Sequence, residues 1–158
     1  MCFFLQYRAV FKALGVDGDN QLLSPAPLIV VAIGPQPDAL TGVDVPANAV
    51  CLPSVPQVRL LQKARASLAV VITHGGQNSF MESLSVGVPV LVCPGFGDQP
   101  ANAAKAEALG VGLKVDRPKA NAAEEQEPSA ANDEAAAAAY TTAVEEAIGQ
   151  VLGASQQQ

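Results

Sequence analysis

At 158 residues, 49% hydrophobic and only 15% charged, the chain can bury one sizeable core but leaves no room for two full-sized domains. Its net charge of −6 is uneven: residues 1–119 carry nine basic and eight acidic residues, whereas 120–158 carry seven acidic residues and no basic one. A base-free acidic tail repels phosphate backbones and anionic lipid, so neither nucleic acid nor a membrane surface is an expected partner.

The apolar start, residues 1–5, lacks the basic n-region and full apolar h-region of a secretion signal, and none is expected. From 3 to 14 apolar residues recur at helical spacing (Phe4, Tyr7, Phe11, Leu14), and a cluster of Gly15, Asp17, Gly18, Asp19 and Asn20 ends that helix. Residues 28–33 form a continuous apolar run between prolines and Gly34, the pattern of a strand buried on both faces. The run falls far short of the ~20 residues that span a bilayer, as does every other, so no transmembrane segment is expected. Residues 35–46 read as loop, 48–52 as a short strand, 57–65 as a helix and 68–73 as another buried strand. Gly75 and Gly76 break that strand, and a helical pattern from 78 to 86 stops at Gly87. Residues 89–93 form a fully apolar strand, 98–109 a helix ended by Gly110 and Gly112, and 113–115 a last short strand. Residues 118–139, acidic and with ten alanines between 120 and 139, read as a flexible insertion. Helical spacing returns over 140–152 through Val144, Ile148 and Val151, and 153–158 reads as a disordered tail. Cys2, Cys51 and Cys93 lie far apart, and one histidine cannot complete a zinc site with them. A reduced, cytoplasmic protein without a metal is the expectation.

Apolar strands alternating with helices predict a parallel sheet covered on both faces, the doubly wound α/β architecture. Ligands of such sheets bind beyond the carboxyl ends of the strands, where loops enter helix N-termini. One such junction is Thr73-His74-Gly75-Gly76-Gln77-Asn78-Ser79-Phe80-Met81-Glu82. Its glycines let backbone amides approach a ligand, and the helix start adds unpaired N–H groups and the positive end of the dipole. His74 adds a donor, and Asn78 and Ser79 add side-chain hydrogen bonds. A phosphate suits that environment, at roughly 1.5–3 kcal/mol per charge-assisted bond. Each feature also has a purely structural reading. Ser79-x-x-Glu82 spells a capping box, and a lone histidine is commonly a hydrogen-bonded structural residue. Gly-Gly is commonly a turn, and Asp98 ahead of Gln99-Pro100 is a good N-cap with proline in the first turn.

Val55-Pro56-Gln57, Thr73-His74-Gly75-Gly76, Asn78-Ser79, Glu82, Gly87-Val88-Pro89, Pro94 and Gly97-Asp98-Gln99-Pro100 with Asn102 follow one another along the chain. With these motifs, residues 48–115 resemble the C-terminal donor-binding domain of the UDP-glycosyltransferases, the superfamily of GT-B fold that includes plant, animal and macrolide-type enzymes. The resemblance implies that His74 and the amides of the Gly75-Gly76 turn hold a diphosphate, with Asn78 and Ser79 completing the cradle. It implies that Glu82 accepts hydrogen bonds from ribose hydroxyls, that Gln57 and the backbone at Val55 face uracil, and that Asp98 and Gln99 bind hydroxyls of the donor sugar. Metal-free transfer follows from the same resemblance, because the helix end and His74 stabilise the charge that UDP gains as it departs. No cofactor beyond the UDP-sugar donor is expected. Ser54 stands where many members stack a tryptophan on uracil, Gln77 stands where plant members usually carry another, and the insertion after Pro118 has no counterpart.

In a complete member, an N-terminal domain binds the acceptor and supplies the histidine that deprotonates its hydroxyl. The expectation here is therefore a nucleotide-sugar-binding Rossmann-like domain, residues 1–117 with the helix over 140–152, that has no catalytic residue of its own. The first strand of that domain is also unmatched; in a sheet ordered 3-2-1-4-5-6 it would lie between 28–33 and 68–73. Losing roughly ten ladder hydrogen bonds at about 1 kcal/mol each rivals the whole stability of a domain, about 5–15 kcal/mol. Either 28–33 and 68–73 pair directly, or the chain is marginal and prone to aggregate. The function expected is binding of a UDP-sugar for hexosyl transfer to a hydroxyl acceptor, without activity alone. The alternatives are the donor subunit of a split enzyme, partnered by an acceptor-domain protein, and a noncatalytic binding module reusing the fold.

Overall fold

In a computed structural model, which describes residues 2–16, 26–35, 38–67, 70–118 and 130–155, strands and helices alternate along the chain. Helix α1 (Cys2–Leu14) is followed by strand β1 (Ile29–Ala32), a turn-rich stretch and strand β2 (Ala49–Leu52). Next come helix α2 (Gln57–Ala64), strand β3 (Val71–Thr73), helix α3 (Gln77–Ser85), strand β4 (Val90–Val92), helix α4 (Gln99–Ala108) and strand β5 (Gly112–Lys114). Helix α5 (Ala130–Ser155) completes the described chain. Among the described residues every strand pairing is parallel: β1 with β2, β3 with β4, and β4 with β5.

The two sheets share one helical layer. Ala9 and Phe11 of α1 and Tyr140, Val144 and Ile148 of α5 form a single core with Ile29 from the first sheet and Leu91, Cys93 and Val115 from the second. Phe80 of α3 and Ala103 and Ala106 of α4 cover the opposite face of the second sheet, packing on Val90 and Val92. Successive residues of β4 point to opposite faces, so Leu91 enters one core and its neighbours the other, and all three are 0% exposed. That is the fully apolar strand that the run over 89–93 predicts.

The expectation for 28–33 is corrected. Ile29 is buried, but Val30 is 39% exposed, and its cross-strand neighbour Val50 is 43% exposed. One face of this pair rests on the α1–α5 layer and the other meets solvent. The helix that follows β2 does not cover it: α2 instead buries Leu61 against Val86 and Val88.

Direct pairing of β1 with β3 is not formed, and among the described residues their sheets stay separate. Each edge is held by its own attachments. Ile29 and Ile33 donate to Asn48 O and Leu52 O, both at 2.9 Å, while Val71 donates to Pro89 O at 3.0 Å. Asn48, 6% exposed, fixes the first sheet to α1: its Oδ1 accepts from Val16 N–H (3.0 Å), and its Nδ2 donates to Leu14 O and Pro27 O (both 2.8 Å).

The C-terminal helix also differs from expectation, starting at Ala130 rather than at 140 and continuing to Ser155. Alanine is the strongest helix former, so the run from 135 to 139 extends the packed helix outward instead of interrupting it. Residues 17–20 and 68–69, the first half of the expected insertion at 119–129, and 156–158 lie outside the described residues. Among the described residues, no helix is long and apolar enough to cross a membrane.

Candidate functional site

Beyond the carboxyl end of β3, the chain turns through His74, Gly75 and Gly76 into α3. Gly75 has φ +86°, and a Cβ there would lie 2.5 Å from Val92 Cγ1, so both backbone and packing demand glycine. Its N–H donates to Thr73 Oγ1 at 3.2 Å. Gly76 is different: its φ of −60° suits any residue, but a Cβ would lie 2.5 Å from His74 Nε2. The imidazole lies directly against the residue that precedes the helix.

No side chain caps α3. The N–H of Phe80 donates to Gly76 O at 3.0 Å, so the amides of Gln77, Asn78 and Ser79 lie ahead of the first intrahelical bond and have no acceptor within the helix. Ser79 lies inside α3 rather than at its cap, so the capping box spelled by Ser79 and Glu82 does not form. Gln77 and Asn78 are exposed, and His74 and Ser79 half-buried. The result is an amide-rich, positively polarised helix end with an imidazole beside it, an arrangement suited to an anion.

Farther along α3, Glu82 points to α2, where Gln57 Nε2 donates to its Oε2 at 2.7 Å. Gln57 is the first residue of α2 and Val55, half-buried, lies two positions before it; Ser54 is exposed. The structure thus brings together two residues that the resemblance implicates separately, one toward the base and one toward the ribose.

The third part of the site is the start of α4. Asp98 adopts helical angles (φ −77°, ψ −13°) and makes no side-chain cap bond, so the N-cap reading fails here as well. Its Oδ2 accepts from Asn102 Nδ2 at 3.1 Å, and the same nitrogen donates to Gly75 O at 2.8 Å. Gln99 is 7% exposed, and its Oε1 accepts from the amides of Gly95 (2.8 Å) and Phe96 (3.2 Å), fixing the loop that leads out of β4. That loop is backed from below by Arg117: a Cβ on Gly95 would lie 3.2 Å from Arg117 Nη1, and Arg117 Nη2 donates to Gln6 Oε1 at 3.1 Å.

Asn102, Arg117 and Gln6 are therefore parts of the site's support that pattern reading does not assign a role. Asn102 left a trace, standing among the matched motif positions, but its bond to Gly75 joins residues far apart in sequence. Gln6 and Arg117 lie at opposite ends of the domain and share no motif. Beneath the site, burial pushes the Cys93 thiol up from its ordinary range, and burial, followed by the nearby Cys93, pushes the Tyr140 hydroxyl up. Both stay protonated at neutral pH, so neither supplies an ionised nucleophile. Among the described residues, no three His, Cys, Asp or Glu side chains cluster as metal ligands would.

Residues 24–126 match the family described as UDP-glucoronosyl and UDP-glucosyl transferase. NDP-glycosyltransferase YjiC of Bacillus subtilis (strain 168) is 33% identical over 99 residues, which cover 63% of this chain and 24% of that protein. UDP-glucuronosyltransferase 3A2 of Homo sapiens is 41% identical over 80 residues, covering 51% of this chain and 15% of that protein. Among solved structures, spinosyn rhamnosyltransferase SpnG superposes with a TM-score of 0.63 at 27% identity, over 95% of this chain and 32% of that one. The chain thus spans about a quarter or less of these two relatives' lengths. Its parallel, Rossmann-like α/β architecture is that of the GT-B glycosyltransferases, and on the family match across most of its length the chain belongs to the UDP-glucoronosyl and UDP-glucosyl transferase family.

Proposed function

We propose that this chain is a donor-binding domain that holds a UDP-sugar for metal-independent transfer of a hexose to a hydroxyl acceptor. The observation that carries this reading is the uncapped start of α3 with the His74 ring against Gly76. The α- and β-phosphates sit over the amides of Gln77, Asn78 and Ser79, and His74 Nε2 is placed for a charge-assisted bond. Farther along α3, Glu82 takes the ribose hydroxyls while Gln57 steadies it and Val55 borders the base. Asp98, on the adjoining loop, takes hydroxyls of the sugar, with Gln99 holding that loop in place.

As the glycosidic bond to the donor breaks, negative charge grows on the departing diphosphate, and the helix dipole and His74 stabilise it where it develops. No residue here is proposed as the base that activates the acceptor. By itself the chain binds the donor and transfers nothing, and catalysis requires an acceptor-binding partner or domain. Phe96, 76% exposed two residues before Asp98, offers an apolar side chain to such a partner. Cys51 and Cys93 are free thiols, in keeping with a reducing, cytoplasmic setting.

Calorimetric titration with UDP tests the reading. The unmodified chain releases binding heat, and Glu82→Ala loses roughly 1.5–3 kcal/mol of affinity. Equal heats from both proteins, or none from either, would reject the proposed site.

A further inference from the structure

We infer that Asn102 is a positioning residue that couples the phosphate turn to the sugar-facing carboxylate, a role that rests on the donor-site reading above. The two halves of that site arise from different strands: the His-Gly-Gly turn follows β3, and Asp98 follows β4. Their relative placement is set across a seam between the turn and the start of α4, where a Cβ on Gly75 would come within 3.4 Å of Gln99 O. Asn102 lies at this seam, 9% exposed.

A carboxamide nitrogen carries two protons, and both have a use here. One goes to Gly75 O at 2.8 Å, on the turn, and the other to Asp98 Oδ2 at 3.1 Å, on the sugar side. Asn102 also anchors itself through its backbone N–H, which donates to Asp98 O at 3.0 Å. Asp98 is exposed and spends nothing on capping its own helix, so without this contact its side chain would be free to change rotamer. With it, one carboxylate oxygen is held and the other is presented outward. A carboxylate or an apolar group at position 102 could make neither bond.

The consequence is energetic coupling. A ligand that orders the turn through its diphosphate also acts, through one carboxamide, on the group that reads its sugar. Diphosphate and sugar are then recognised as a unit, and the sugar adds affinity only while Asn102 is intact.

Two measurements on the full chain test this. In the first, UDP and UDP-glucose are titrated against the unmodified protein, Asp98→Ala, Asn102→Ala and the double variant, with urea midpoints as a check on folding. UDP-glucose should bind the unmodified protein about fivefold to tenfold more tightly than UDP, an increment of the size that one well-placed hydrogen bond gives. Asn102→Ala should lose that increment, and adding Asp98→Ala should cost nothing further. Additive losses, a retained increment, or no increment in the unmodified protein would each overturn the coupling while leaving UDP binding to stand. A residue that merely supported the fold would weaken both ligands alike and show no such non-additivity.

The second measurement needs no ligand and does not depend on Asn102→Ala folding. In ¹H–¹⁵N spectra, Asp98→Ala should shift the amides of Gly75 and Gly76 across the seam; shifts confined to 97–101 would overturn the inference. Failure of the unmodified protein to bind either UDP or UDP-glucose would reject the donor site itself, an outcome distinct from both.

Discussion

Gln57 and Glu82 meet at 2.7 Å across the contact between α2 and α3, with the amide nitrogen donating to the carboxylate. The bond leaves Glu82 Oε1 for a ligand and fixes the direction in which it points. Replacing Gln57 by alanine should release Glu82 and weaken UDP binding by about fivefold, the scale of one neutral-to-charged bond in a half-exposed site. Gln57→Glu should be worse, because two carboxylates would then face each other at hydrogen-bonding distance. Competitive titration with UDP distinguishes the two, and equal affinities for both variants and the unmodified protein would show that Glu82 does not depend on this contact.

The adjacent glycines of the turn should separate folding from binding. Gly75→Ala forces a side chain onto φ +86° and into Val92, and should cost about 2–5 kcal/mol of stability. Gly76→Ala keeps a permitted backbone, yet its methyl would displace the His74 ring. Stability should then change by less than about 1 kcal/mol while UDP affinity drops about tenfold or more. Urea unfolding and UDP titration of both variants give the comparison, and loss of stability in Gly76→Ala equal to that in Gly75→Ala would contradict it.

How far these features could be read in advance depended on how local their cause was. The apolar run at β4 and the glycine at 75 reflect a periodicity and a backbone demand contained within a few residues, and both stand where the pattern puts them. Val30 shows the limit: a β-branched run signals burial on both faces, but whether a second layer arrives depends on where α2 packs, which the run does not encode. The alanines from 135 to 139 depart from the expected flexible insertion because an acidic, low-complexity stretch suggests disorder while the intrinsic preference of alanine is helical. Ser79 and Asp98 both spell caps and make none, since their neighbours in space, not their spacing, decide what the side chains bind. Asn102 belongs to the same class, its bond to Gly75 being visible only once β3 and β4 lie side by side.

Asn48 holds the first sheet to the rest of the fold and should show it in stability. Its side chain satisfies the amide of Val16 and the carbonyls of Leu14 and Pro27 from a buried position. Asn48→Ala would strand those groups and should cost about 2–4 kcal/mol. In hydrogen exchange, the amides of β1 and β2 should lose protection first, while those of β4, 0% exposed between two cores, should keep it until global unfolding. Uniform loss of protection across both sheets would mean that Asn48 is not a local fastening.

Cys93 and Tyr140 make stability depend on alkaline pH. Burial raises both groups above their ordinary values of 9.0 and 10.0, so the folded chain keeps protons that the unfolded chain gives up. The unfolded state then binds fewer protons, and stability, fully present below pH 9, must fall as pH rises from there, by up to about 1.4 kcal/mol per pH unit for each group. Cys51 and Tyr7, partly buried, shift in the same direction and add to the slope. Cys93→Ala should cost about 1 kcal/mol at neutral pH through lost packing, yet it should flatten the decline between pH 9 and 10, where Cys51 is then the remaining raised thiol, until Tyr140 adds to it above pH 10. Urea midpoints measured from pH 7 to 10.5 on both proteins would reveal the crossing of the two curves; parallel curves would show that the Cys93 thiol titrates in the folded chain as it does in the unfolded one.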